Sequence, residues 1–145
     1  KAQITQLTLA TFKLTYGTNE NRSNAFGKCV AKLALASQTA TTNAAKQCTA
    51  ERDDASFATS HDGKSFALFY GGSEKARNAF GKCVSGKAKE SVETTHETTV
   101  NAARQCKAEL KADAAAFRAK YGTGPRKANA FGKCVSAKAK AAQQS

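Results

Sequence analysis

The sequence predicts an all-α protein, three stacked helix-loop-helix repeats of about 50 residues stapled by disulfides. Three observations lead there. The heptapeptide Asn-Ala-Phe-Gly-Lys-Cys-Val occurs at 24–30, 78–84 and 129–135, identical each time. A Tyr-Gly pair precedes each copy at one distance: Tyr16-Gly17, Tyr70-Gly71 and Tyr121-Gly122. Each of the five cysteines falls in a repeated context. A unit this small buries little core alone and needs neighbours, covalent staples or both. The expected divisions are 1–42, a first repeat truncated at its N-terminus; 43–100, a second with an inserted loop near 57–65; and 101–145, a third.

In chain order, Ile4, Leu7, Leu9, Phe12, Leu14 and Tyr16 fit either a helix (9, 12, 16) or a strand (7, 9 and 12, 14, 16). Register with the other copies selects the helix. Each Phe-x-x-x-Tyr-Gly run (12–17, 66–71, 117–122) reads as a helix end, with the glycine in the left-handed conformation. A polar loop follows, and Asn24, Asn78 and Asn129 are the expected caps of a second helix. On that helix Phe26, Cys29 and Val30 fall at i, i+3 and i+4, as do Phe80, Cys83, Val84 and Phe131, Cys134, Val135. They form one apolar patch per copy, expected to be buried alike. Gly27, Gly81 and Gly132 sit in its first turn, where glycine is unfavourable by up to about 1 kcal/mol against alanine. That implies a backbone packed too closely for a Cβ.

The first helices of the later repeats are expected to start at Asn43 and Asn101. In the third, Ala103, Cys106, Leu110, Ala114, Phe117 and Tyr121 follow spacings of 3, 4, 4, 3 and 4, an amphipathic stripe. The second is seven residues longer between Cys48 and Tyr70 than the third between Cys106 and Tyr121. The extra residues lie in Phe57 to Ser65, where Asp62-Gly63 reads as a turn. The Ser- and Thr-rich stretches 36–42 and 91–100 read as inter-repeat turns.

The chain opens at Lys1 and has no Met, as expected of a processed mature form, and no apolar run is long enough to cross a membrane. Five cysteines in so short a chain, with no Cys-x-x-Cys, read as a disulfide framework in an oxidising compartment, hence a secreted or extracellular protein. The net charge is +12. Residues 1–42 hold five Lys and Arg against one acid, 43–100 eight of each, and 101–145 ten against two. Such a C-terminal end attracts acidic polymers and surfaces without naming one.

Tyr-Gly-Thr-Asn at 16–19, together with Asn-Ala-Phe-Gly-Lys-Cys-Val-Ser at 78–85 and 129–136, resembles a motif of small uncharacterised secreted actinobacterial proteins. Those proteins carry an upstream Cys-x-Ala-Glu-Arg, matched by Cys48 to Arg52 and nearly by Cys106 to Leu110. They often follow it with Asp-Pro, where this chain has Asp54-Ala55 and Asp113-Ala114. The resemblance spans almost the whole chain and implies export and paired cysteines, with no activity attached.

Two pairings are open. One closes each repeat, Cys48–Cys83 and Cys106–Cys134, and leaves Cys29 unpaired or intermolecular, because its partner slot falls at Lys1. The other ties each second helix to the next repeat, Cys29–Cys48 and Cys83–Cys106. A straight helix would hold Cys106 about 20 Å from Cys134, at about 1.5 Å per residue, and so favours the second. A break near Asp113, as the family's Asp-Pro implies, favours the first, the preferred pairing here.

No catalytic constellation emerges. Ser60-His61-Asp62 contains triad residue types, but consecutive residues diverge, and it reads as a loop tip. His96-Glu97 lacks a second histidine four residues on and reads as a solvated linker. No carboxylate recurs at one place in all three copies, and no cofactor or metal site is expected. The cations do recur: Lys28, Lys82 and Lys133 follow each Gly, with Arg22, Lys75, Arg77, Arg126 and Lys127 in the preceding loops. Two readings follow. The leading one is a non-enzymatic exported structural protein that associates with itself or with a cell envelope. The alternative is a basic module for an anionic polymer, whether cell-wall polymer, polysaccharide or nucleic acid, using those cations.

Overall fold

Thr8 sets the first helix going: its hydroxyl accepts from Thr11 N, and α1 runs Leu9–Tyr16. The computed structural model describes residues 7–144, so Ile4 lies outside the described residues. All regular structure among them is helical, continuing with α2 Ala25–Asp53, α3 Phe57–Ser60, α4 Phe66–Gly71, α5 Ala79–Ala112, α6 Ala114–Tyr121 and α7 Ala130–Ala142.

The Ser- and Thr-rich stretches are not turns. Both lie inside the long helices α2 and α5, and Asn43 and Asn101 are helix interior rather than starts. Between Ala31 and Asp53, and between Lys87 and Ala112, there is no Gly or Pro to stop a helix. Each Ser or Thr lowers helix propensity by only a few tenths of a kcal/mol. The hydroxyls also fold back onto the preceding turn. Thr41 and Thr42 donate to Ser37 O and Gln38 O at 2.9 and 3.1 Å, Thr98 and Thr99 to Thr94 O and Thr95 O at 2.7 and 2.9 Å.

Aspartates stop these helices. Asp113 leaves the helical region (φ −151°, ψ 100°), and its carboxylate accepts from Ala115 N and Ala116 N, starting α6 in a new direction. Asp54, just past α2, accepts from Ser56 N and Ser56 Oγ at 2.8 and 2.7 Å.

The chain forms two compact units: a terminal unit of Lys1–Lys32 with Thr94–Ser145, and a central unit of Leu33–Glu93. Described residues near both ends of the sequence thus share one unit. In the terminal unit α7 packs on both α6 and α1. Its buried side chains include Phe12, Tyr16, Phe117, Phe131, Val135 and the Cys106–Cys134 disulfide. The central unit buries Ala40, Ala44, Phe57 and the Cys48–Cys83 disulfide. Both disulfides have Cα atoms 6.1 Å apart, and bridges of this kind contribute on the order of 2–4 kcal/mol each. The break at Asp113 lets Cys106 meet Cys134.

Equal burial of the three apolar patches fails. Phe131 and Val135 are 3% and 1% exposed, Phe80 and Val84 are half-buried, and Phe26 and Val30 are 57% and 49% exposed. The heptapeptide is the same; the cover is not. Helices α1 and α6 lie on α7, whereas Phe80 meets the Arg52 guanidinium 5.3 Å above its ring.

Candidate functional site

The three Tyr-Gly loops share one backbone design. The residue five after each Gly donates to the carbonyl two after it: Arg22 N to Asn19 O, Ala76 N to Ser73 O, Lys127 N to Gly124 O. The following alanine then donates back, Ala25 N to Arg22 O, Ala79 N to Ala76 O and Ala130 N to Lys127 O. This doubling back brings the fifth residue onto the glycine. A Cβ on Gly17 would meet Arg22 Cβ at 2.5 Å, one on Gly71 Ala76 Cβ at 2.1 Å, and one on Gly122 Lys127 Cβ at 2.5 Å. The expected left-handed glycines are therefore corrected. Gly17 and Gly122 are extended, with φ −71° and −79°, and are small because the chain passes over them. Left-handed φ falls in these loops instead on Arg22, Gly72, Gly124 and Lys127. Gly27 and Gly81 have open space where a Cβ would stand, and Gly132 only Thr15 O at 3.7 Å, so close packing does not account for them.

Asn24, Asn78 and Asn129 do stand immediately before α2, α5 and α7, but Asn24 and Asn129 use their side chains as loop clasps rather than as caps. Asn24 Oδ1 accepts from Thr18 N at 3.0 Å while Asn24 Nδ2 donates to Thr18 Oγ1 at 2.8 Å. Asn129 repeats this with Thr123 at 3.0 and 2.6 Å, and makes no side-chain bond to its own helix. The middle loop has Gly72 in the threonine's place and turns through a left-handed residue instead.

Beside each disulfide stands a polar trio that sequence reasoning missed. Tyr70 OH donates to Glu51 Oε2 at 2.7 Å, and Lys87 Nζ pairs with Glu51 Oε1 at 2.8 Å. Tyr121 OH donates to Glu109 Oε2 at 3.0 Å, and Lys138 Nζ pairs with Glu109 Oε1 at 2.7 Å. The signal was there: a glutamate three residues after Cys48 and Cys106, a lysine four after Cys83 and Cys134. Demanding a carboxylate in all three copies hid it, since Ile4 stands where the first copy would have its glutamate and Leu33 where it would have its lysine. Partial burial pushes the Glu51 carboxyl up, but the bonds from Lys87 and Tyr70 outweigh it and hold it below the ordinary range. Lys138, then Tyr121, hold Glu109 down in the same way. Lys87 is raised by its bond to Glu51, and Tyr70 by burial and by that same carboxylate.

Cys29 belongs to neither disulfide and is 5% exposed. Burial pushes its thiol up, opposed by a hydrogen bond with Tyr16. An intermolecular bridge at Cys29 would require that cover to open.

His61 stacks on Phe57 (3.8 Å between centroids), and its Nδ1 lies 2.8 Å from Phe57 O and 3.1 Å from Ser60 Oγ. Asp62 turns the chain through φ 53°. Phe66, Phe69 and Tyr70 complete an aromatic cluster around Phe57. His96 is not a solvated linker. It lies within α5, half-buried, and its Nε2 is buried without a hydrogen-bond partner among the described residues.

The expected anion contacts divide by role. Arg22 is spent on structure, donating to Leu14 O and Gly17 O at 3.2 and 3.3 Å and to Ala128 O at 2.9 Å. Arg126 pairs with Glu20. Lys82 Nζ lies 3.4 Å from Gly71 O. Lys28, Lys75, Arg77, Lys127 and Lys133 are exposed. No protein-family model, curated protein or solved structure matches this chain. The folding also sorts the charge. The terminal unit collects fifteen Lys and Arg against four acids, +11, and the central unit eight against seven, +1.

Proposed function

We propose that this is a non-enzymatic, exported structural protein of three related helical copies that associates with further copies of itself or with a cell envelope. The reading rests on the unequal cover of one heptapeptide. Phe131 and Val135 are sealed by helices of the same chain, while Phe26 and Val30 remain 57% and 49% exposed. On α7 that Phe-x-x-x-Val face is covered by α1 and α6 of the same chain, so the open face at Phe26 and Val30 is suited to a helix of a second copy. The two disulfides are compatible with an extracellular setting, and no helix among the described residues is long and apolar enough to cross a membrane. Sedimentation velocity over a salt series tests it. Net repulsion between basic chains weakens as salt screens it, so the wild type should self-associate more as salt rises. Phe26→Glu with Val30→Glu should abolish association, and a wild type that stays monomeric at high salt and concentration would remove self-association from the proposal, leaving the open face to a cell envelope alone.

A second reading, a binding module for an anionic polymer, is favoured by the charge sorting, which places +11 on one unit. Retention on immobilised heparin that falls with salt supports it; no retention at low salt removes it.

A further inference from the structure

We propose that the terminal unit is the anion-binding half of the molecule, and that Lys28, Lys127 and Lys133 form an edge that tracks a linear anionic glycan. The proposal rests on the second reading above and locates its surface. The first and third Tyr-Gly loops are tied together, with Arg22 Nη2 donating to Ala128 O at 2.9 Å and Arg126 pairing with Glu20. Those bonds bring the N-terminal ends of α2 and α7 side by side. Lys28 and Lys133 are the fourth residues of those two helices, Lys127 lies in the joining loop, and all three are exposed. Few acids oppose them. The unit's four are Glu20, paired with Arg126; Glu109, paired with Lys138; Asp113, bound to the start of α6; and the exposed Glu97.

The chemistry of the polymer follows from what the surface lacks. Phe12, Tyr16, Phe117 and Phe131 are buried, and Tyr121 is engaged with Glu109, which leaves Phe26 as the unit's exposed large aromatic. A row of stacking platforms, which single-stranded nucleic acid needs, is not present in the described residues. Two disulfides accord with an oxidising, extracellular-type compartment, where a linear anionic glycan is a polymer such a surface can meet.

The test compares retention on immobilised heparin across a sodium chloride series for the wild type and two variants of equal charge change. One combines Lys28→Gln, Lys127→Gln and Lys133→Gln; the other combines Lys75→Gln, Arg77→Gln and Lys82→Gln in the central unit. Circular dichroism melts establish that each folds, and a Lys28→Gln, Lys133→Gln double covers the case in which the left-handed position 127 disturbs the loop. The terminal variants should elute at lower salt, with the log–log salt slope of the triple shallower by about 2, while the central variant elutes with the wild type. Equal losses in both triples would overturn the proposal in favour of undirected net charge, leaving the second reading intact. Tighter retention of the wild type on duplex DNA than on heparin, lost with the same three lysines, would overturn the glycan assignment. No retention of the wild type at low salt would remove the second reading itself.

Discussion

Gly71 and Gly81 stand ten residues apart and make opposite demands on a side chain. A methyl on Gly71 would lie 2.1 Å from Ala76 Cβ, so Gly71→Ala must push the loop off its helix and lower the melting temperature. A methyl on Gly81 meets nothing, and it lies inside α5, so Gly81→Ala should raise stability by about 0.5–1 kcal/mol in denaturant titrations. The phenylalanines divide in the same manner. Phe131→Ala should lower stability by about 3–5 kcal/mol, the usual loss for a sealed core ring. Phe26→Ala should change it by less than about 1 kcal/mol in dilute protein, where no second copy covers the ring. Comparable losses at both positions would mean that the heptapeptides have equal surroundings after all.

Between helices, the two Tyr–Glu–Lys trios join the segment after one cysteine to the segment after its partner. Because folding holds the Glu51 and Glu109 carboxyls below their ordinary range, it favours their ionised form. That contribution is fully present above the ordinary glutamate pKa and is lost as pH falls through the folded values. Stability should therefore decline on acidification below about pH 4, and Glu51→Gln with Glu109→Gln should flatten that decline in melts run against pH. An unchanged acid limb in the double variant would leave the trios with no part in it. Helical content, the loop register and the two candidate cysteine pairings could be read from the sequence, because helix periodicity and a repeated heptapeptide are local facts. Helix ends were less legible. The Ser and Thr stretches argue for turns by propensities of tenths of a kcal/mol, which an uninterrupted helix with hydroxyls bonded to its own carbonyls overrides. Burial was least legible, because three identical segments differ only in what the rest of the chain lays over them. The proposed anion edge depended on the first and third Tyr-Gly loops meeting, which puts Lys28 in one unit with Lys127 and Lys133 despite their distance in sequence.

For the whole molecule, the disulfides set a covalent topology as well as a stability. Cys48–Cys83 closes one ring of chain and Cys106–Cys134 another, spanning 35 and 28 positions, and residues 84–105 within α5 are the sole covalent connection between the rings. A protease that cuts inside a ring opens it without releasing anything. The exposed turn at Lys64 lies in the first ring, and the exposed Arg126 and Lys127 lie in the second. Limited trypsin cleavage at these points should leave a single species on a non-reducing gel, which separates into fragments only when a thiol is added. Cleavage at Arg22, outside both rings, should instead shed the N-terminal piece under denaturing conditions without reductant. A protein nicked in this way would keep its pieces in register after damage, a form of durability that comes from the connectivity of the chain and that no melting temperature would register.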